Sequence, residues 1–378
     1  MKWEYKTLDQ LGTVSRGKSK HRPRNDPKLF GGKYPFIQTA DVKNADYYIT
    51  KYSDTYNESG LAQSKLWDKG TLCITIAANI ADTGVLAFPA CFPDSIMGFV
   101  PFEGVANTRF IKYCFDRLQR DCKQISQGTA QDNLSWEKLS TIKFCIPEYK
   151  EQCRIADILS AYDDLIENNQ KQIKLLEEAA QRLYKEWFVD LNFPGHENTK
   201  IVDGVPEGWR KFPLEEIAPV VTGKKDANYG DKGGNYPFFT CSQETITAPG
   251  YSFDTSAVIL AGNGDFNVKL YRGKFEAYQR TYVLAPFDHL NLFNLYFTVQ
   301  DNMEALAKGA SGSTIKFLTK GMLQKILVLT ADKKILDKFN DYEENIQQKV
   351  EALKKQVEDL TEIRNRLLPK LMSGEVEV

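Results

Sequence analysis

The sequence predicts an α/β protein built twice. Two pseudo-symmetric α/β modules are each followed by a long helix, and the two helices pair antiparallel as a coiled coil. Three observations predict this. The chain repeats itself: WEYKTLDQLGTVSRGK (3–18) is answered by WRKFPLEEIAPVVTGK (209–224), YPFIQTADV (34–42) by YPFFTCSQE (236–244), and the approach to each helix is likewise duplicated (128–146 and 312–330). Apolar residues then step by 4 and 3 over about five heptads after each module, the spacing of a coiled-coil seam. Within the modules, TLCITIA, AVILAGN, RTYVLAP and KILVLT carry the β-branched and apolar residues of buried strands between Gly, Pro and Asn loops.

The elements follow in order. Residues 1–147 form the first module, 148–190 the first helix, 191–208 a linker, 209–332 the second module, and 333–378 the second helix and tail. The spacing between the copies shrinks along the chain, so the second module is shortened by loop deletions, where length changes cost least. The first seam runs through Ile155, Leu159, Tyr162, Ile166, Asn169, Ile173, Leu176, Ala180, Leu183 and Trp187. The second uses Phe339, Tyr342, Ile346, Val350, Leu353, Val357, Leu360, Ile363, Leu367 and Leu371. Pro147 precedes the first helix, Phe193-Pro194-Gly195 follows it, and Pro369 predicts a bent or broken last turn in the second. A helix over 152–188 is about 55 Å long. Two seams in one chain most simply pair with each other, which places the modules at opposite ends of a rod about a pseudo-twofold axis. Asn169 is either a register-fixing polar residue in the seam or a residue at its edge. Asp163-Asp164 and Glu177-Glu178 read as the outer faces of the helices.

Composition narrows the function classes. A chain of 378 residues with 42% hydrophobic and 26% charged residues is long and apolar enough for two folded domains. No apolar stretch is long enough to cross a bilayer, and no apolar region follows the N-terminus as in a secretory signal. Seven Cys without a CxxC pair, and only three His, point to reduced thiols, a cytoplasmic location and no structural zinc. The charge is unevenly spread: residues 1–147 hold 20 Lys and Arg against 15 Asp and Glu, while 148–190 hold 6 against 10. That is a modest basic footprint for a nucleic-acid binder. Catalytic constellations are missing from the sequence. The GNG at 262–264 lacks the third glycine of a dinucleotide loop, and neither GxxxxGK[ST] nor an S-adenosylmethionine loop or [DN]PP[YF] occurs. The two EYK tripeptides (4–6 and 148–150) have no suitably framed Asp before them for a nuclease site. His21, His196 and His289 are scattered in loops.

The run IPEYKEQCRIADILSAYDDLIENNQKQI (146–173), then LYKEWFVDLNFPGHE and VPEGW, resembles the central region of type I restriction–modification specificity subunits. WEYKTLDQLG and its echo WRKFPLEEIA resemble the start of each target recognition domain in that family. The likeness spans essentially the whole chain, although ADKKILDKF (331–339) departs from the family's usual Pro-Leu-x-x-Gln start to the second helix. The resemblance implies that each recognition domain reads one half of a split DNA target, with the paired helices as a ruler between them. It also implies two methyltransferase subunits docked on the helices, binding S-adenosylmethionine and methylating adenine N6. Restriction subunits using ATP and Mg would translocate and cut unmodified DNA. This chain would then hold no catalytic residue, metal or cofactor, and its neighbours would supply much of the DNA clamp.

Candidate DNA contacts follow from the chemistry of the groups. The loop SRGKSKHRPRN (15–25) carries Arg16, Lys18, Lys20, Arg22 and Arg24 where the second module has only Lys224 and Lys225, and both are followed by YPF. Most of these cations are expected on phosphates, with one Arg on a guanine; a solvated flexible loop is the alternative. Base-reading candidates are Gln38, Thr39 and Asp41, with counterparts Cys241, Ser242 and Gln243. Asn263, Asp265, Asn267 and Lys269 flank the GNGD turn, and Gln279 and Arg280 stand in YQRT. Ser126, Gln127, Thr129 and Gln131 answer Ser313 and Thr314 across the repeat. Each of these polar residues has an alternative role in capping a turn. The competing function is a coiled-coil scaffold that joins two protein-binding modules and makes no DNA contact.

Overall fold

The four apolar runs that read as strands are strands, and their burial shows why. LCIT (Leu72–Thr75) and TYVL (Thr281–Leu284) are buried along their whole length, as central strands covered on both faces require. The computed structural model describes residues 3–45, 47–76, 82–125, 136–310 and 316–378. It divides into two compact units, residues 1–170 with 354–378, and residues 171–353. Each unit holds one module, the near half of the helix that follows it and the far half of the other helix.

In the first unit a five-stranded sheet has the order Gly12–Arg16, Ile96–Pro101, Leu72–Thr75, Thr83–Leu86, Tyr48–Ile49. Its pairs are antiparallel except the last. Leu72, Ile74 and Phe99 pack under Phe110, Ile111 and Phe115 of helix Thr108–Ile125, in a core that also takes Ile155, Leu159, Leu368 and Leu371 from the two long helices. Cys73 contributes instead to a second cluster with Ile37, Trp67 and Phe92, as strand alternation demands. Gly98 is needed there, because a Cβ would lie 2.5 Å from the Trp67 ring. A smaller sheet, in the order Asp54–Tyr56, Phe30–Phe36, Ala90–Cys91, Leu66–Trp67, completes the module.

The second unit repeats this plan. Val220–Thr222, Thr281–Leu284, Phe253–Ala261 and Val268–Ala277 stand in the order of their counterparts, and Tyr236–Phe239 and Ile246–Ala248 extend the sheet to six strands. Each module also ends by pairing its last strand with its first. Glu4–Lys6 pairs with Phe144–Ile146, and Arg210–Pro213 with Leu327–Thr330, all antiparallel. The chain therefore returns to its starting edge before entering each long helix, and so the repeat is structural as well as sequential.

The first long helix spans Tyr149–Tyr184 and continues through a π-helical turn, Lys185–Val189; the second spans Lys333–Ser373. Within the first unit Asp163 meets Arg364 and Asn169 meets Gln356, so rising numbers face falling ones and the pair is antiparallel. Ile155, Leu159, Ile166, Ala180 and Trp187 are buried, with Tyr162, Ile173, Leu176 and Leu183 half-buried. On the second helix Phe339, Val350, Leu353 and Leu371 are buried, with Ile346, Val357, Leu360 and Leu367 half-buried. In the second unit Tyr184, Trp187, Phe188 and Phe339 join Phe193, Trp209 and Phe297 in an aromatic cluster.

Three expectations about the helices change in detail, and one open alternative gains support. Tyr342 is 57% exposed and Ile363 43%, whereas Glu343 is fully buried. The seam therefore shifts by one residue at each place, to Glu343 and Arg364, with Tyr342 edge-on to the Trp187 ring at 6.1 Å. Asp163 is not on an outer face: it is buried, accepts from the Tyr113 hydroxyl at 2.5 Å and pairs with Arg364. Asn169 is buried and donates to Gln356 at 3.2 Å, which supports the register reading. Pro369 does not end the second helix, which runs on to Ser373. A proline there deprives the Asn365 carbonyl of its helical N–H donor. The Arg120 guanidinium supplies a substitute, donating to that carbonyl at 3.1 Å and to the Asn365 side chain.

Candidate nucleic-acid interface

The basic loop of the first module is held by its backbone, which leaves part of its charge free. Gly17 donates to the Ile96 carbonyl at 2.8 Å and Lys18 to that of Phe92 at 3.0 Å. Gly17 must be glycine, since a Cβ would sit 2.3 Å from the Pro93 carbonyl. The Ser64 hydroxyl donates to the Lys18 carbonyl, and the Gln63 side-chain oxygen accepts from Lys20 at 2.6 Å and His21 at 3.0 Å. Arg16, Lys18 and Lys20 are exposed and make no ion pair among the described residues. Arg22 folds back onto the carbonyls of Ser19 and His21, and Arg24 pairs with Asp94 at 2.7 Å. Asp26 bonds His21 at 2.9 Å; the Lys28 N–H and then His21 hold its carboxyl below the ordinary range. The eleven-residue run is thus the end of strand Gly12–Arg16 followed by an ordered loop, with three exposed cations and two committed arginines.

Beside it, Gln38 precedes a short helix, Thr39–Lys43, and donates to Asp54 at 2.5 Å. Asp41 accepts from the Gln38 N–H at 2.8 Å and from the Ser53 hydroxyl at 3.0 Å, so both its oxygens serve the turn. Thr39 is half-buried at the start of that helix. Ser126, Gln127, Thr129 and Gln131, with Ser313 and Thr314 in the second module, lie outside the described residues.

In the second module the candidate segments come together. Asn267 donates to the Cys241 carbonyl at 3.3 Å, and the Lys269 ammonium to that of Ser242 at 2.9 Å. Gly262 donates to the Arg280 carbonyl at 2.9 Å, and Gln279 to that of Lys225 at the same distance. The Cys241 loop, the GNGD turn, the YQRT turn and the lysine pair therefore form one surface. On it Ser242, Gln243, Asp265, Gln279, Arg280 and Lys224 are exposed, and Asn263 is half-buried. Lys225 lies over the Tyr229 ring at 4.3 Å. Lys269 is an internal brace: burial pushes its ammonium below the usual lysine range, consistent with its two bonds to the 242–245 loop. Asn267 likewise spends its amide on backbone carbonyls.

Phe317 belongs to this surface and escaped the sequence reading. It is 42% exposed and bridges to Asn263, while Leu318 donates to the Gly262 carbonyl at 2.8 Å. Within the apolar run IKFL it looks like core; in the structure its backbone bridges to the GNGD turn and the residue stays exposed. Such an aromatic suits contact with a thymine methyl or a base face. Gln63 was missed in the first module for a similar reason, because its partners lie far away in sequence. Chemically, both surfaces can bind and discriminate. Among the described residues there is no cluster of His, Cys, Asp or Glu able to hold a metal ion, and no helix long and apolar enough to cross a membrane.

Comparison with known proteins gives a consistent relationship. A family model described as the type I restriction modification DNA specificity domain matches residues 1–178 and 206–359. The MjaIX specificity subunit of Methanocaldococcus jannaschii is 26% identical over 413 residues, covering 100% of this chain and 94% of that protein. The EcoDI specificity subunit of Escherichia coli is 37% identical over 176 residues, 46% of this chain and 39% of its own. The fold is shared with the specificity subunit of M. genitalium, at a TM-score of 0.63 and 18% identity over 98% of this chain and 96% of that one. One copy of the matched domain thus falls on each repeat, and the chain belongs to the family of type I restriction–modification DNA specificity subunits.

Proposed function

We propose that this non-catalytic subunit reads a split DNA target, one half-site per module, and carries two methyltransferase subunits on its paired helices. Arg16, Lys18 and Lys20 hold phosphates in the first half-site, and Gln38 and its neighbours border the bases. In the second, Lys224 meets phosphate, while Gln279, Arg280, Asn263, Gln243 and Phe317 face base edges. Asp41, Asn267 and Lys269 shape the loops from behind. S-adenosylmethionine belongs to the methyltransferase partners, and ATP and Mg to restriction subunits where these join the complex. The observation that carries the reading is the convergence of four separate polar segments of the second module on one exposed surface. Its mix of amide, hydroxyl and cationic groups matches base edges and phosphates, which supports this reading over a coiled-coil scaffold joining two protein-binding modules. The test is to sequence methylated adenines in DNA exposed to the chain with its methyltransferase partner. A bipartite target is expected; a continuous one would overturn the two-module reading.

A further inference from the structure

One loop is kept the same in both modules while the loops around it differ. It follows the strands Ile96–Pro101 and Thr281–Leu284, which hold the same place in their sheets. In the first module it reads Pro101-Phe102-Glu103, and in the second Pro286-Phe287-Asp288. Both phenylalanines are exposed, Phe102 by 44% and Phe287 by 70%. Their backbones are nevertheless held identically. Phe102 donates to the carbonyl of Leu11, the last residue of helix Leu8–Leu11, and Phe287 to that of Ile217, the last residue of helix Leu214–Ile217, both at 2.9 Å.

Three residues further on, each loop is tied to a long helix. Gln152 donates its side-chain amide to the Val105 carbonyl at 3.0 Å, and Asn340 does the same to the Leu290 carbonyl at 2.9 Å. A large apolar ring presented to water on a loop braced at both ends is a pre-ordered anchor, which loses little freedom on binding. In the first module Val105 and Tyr149, 36% and 39% exposed, extend the apolar surface.

Two comparisons identify the occupant. Half-site loops must differ if they read different bases, and here an eleven-residue basic run stands opposite one lysine pair. A loop that stays alike in both modules meets the same thing twice. It also carries an exposed carboxylate directly after each ring, Glu103 and Asp288, which phosphates repel. We infer that Phe102 and Phe287 are twin anchors for one protein partner taken up in two copies. Each ring enters an apolar pocket with a Lys or Arg at its rim facing the neighbouring acid. This rests on the reading above, in which that partner is the methyltransferase subunit.

Native mass spectrometry of the full chain titrated with the methyltransferase subunit tests it. The unaltered chain is expected to take up two copies. Phe102→Ala and Phe287→Ala should each weaken one of the two by about tenfold or more, and the double variant both. Phe102→Leu and Phe287→Leu should retain both, and an unchanged thermal midpoint would show that every variant is folded. Two copies bound at unchanged affinity by the double alanine variant would overturn the anchors and leave the docking proposal standing. No uptake by the unaltered chain would instead overturn docking and the anchors with it. Loss of DNA binding at unchanged stoichiometry would assign the rings to DNA and equally overturn the proposal.

Discussion

Pro369 and Arg120 show how one residue's deficit is met by another far away in sequence. Proline removes the donor that the Asn365 carbonyl would have in an uninterrupted helix, and the Arg120 guanidinium, from the first module, takes that place. Arg120→Ala should therefore lower stability by about 1–3 kcal/mol. In a Pro369→Ala background the loss should be clearly smaller, because the restored N–H serves the carbonyl. Denaturant unfolding of the two single variants and the double variant measures this; equal losses in both backgrounds would refute the substitution of donors. Glu343 poses the opposite case. Both its carboxylate oxygens are buried without a hydrogen-bond partner, and burial raises its pKa from 4.5 to about 8. Tyr296 lies near enough to feel both Glu343 and Glu177; burial, then these two carboxylates, push its phenol up to about 12. Between pH 4.5 and 8 the folded chain holds a proton that the unfolded chain releases. Stability should thus fall as pH rises through that window and level off above it. Glu343→Gln should flatten this dependence and raise stability at pH 8 by about 1–3 kcal/mol. An unchanged pH profile of the thermal midpoint would count against it.

Among the elements, the basic loop changed most between sequence and structure. Its composition showed that charge was concentrated there, and the repeat showed that it lay within a folded module. Which charges are available depended on neighbours: Asp94 takes Arg24, and nearby carbonyls take Arg22. Changing Arg16, Lys18 and Lys20 together to Gln should weaken DNA binding by the assembled complex. The slope of log affinity against log salt should flatten by about 2–3, close to 0.9 per lost phosphate contact. The corresponding changes at Arg22 and Arg24 should flatten it less. Equal effects from both sets would mean that the loop rearranges on DNA. The long helices were legible because a seam needs only periodicity. They were misread where a charged residue takes the place of an apolar one: Tyr342 and Ile363 were placed on the seam, where the structure has Glu343 and Arg364.

For the whole molecule, the proposal makes the helical pair a spacer independent of the reading surfaces. Inserting one heptad into each helix at matched positions preserves the seam and adds about 10 Å, close to three base pairs of DNA. Methylome sequencing should then report unchanged half-sites with a longer spacer. Altered half-sites at constant spacing would remove the ruler from the account. The sequence by itself determined the duplication, the strands and the antiparallel helix pair, because repeats and periodicity are local properties that a linear text preserves. It also located the basic loop. Only the tertiary structure decided that four distant segments of the second module make one surface, that Phe317 belongs to it, and that Asp163 is buried against Tyr113 and Arg364. Those facts rest on hydrogen bonds and burial between residues far apart in the chain, and nothing in local composition encodes which partner each will meet.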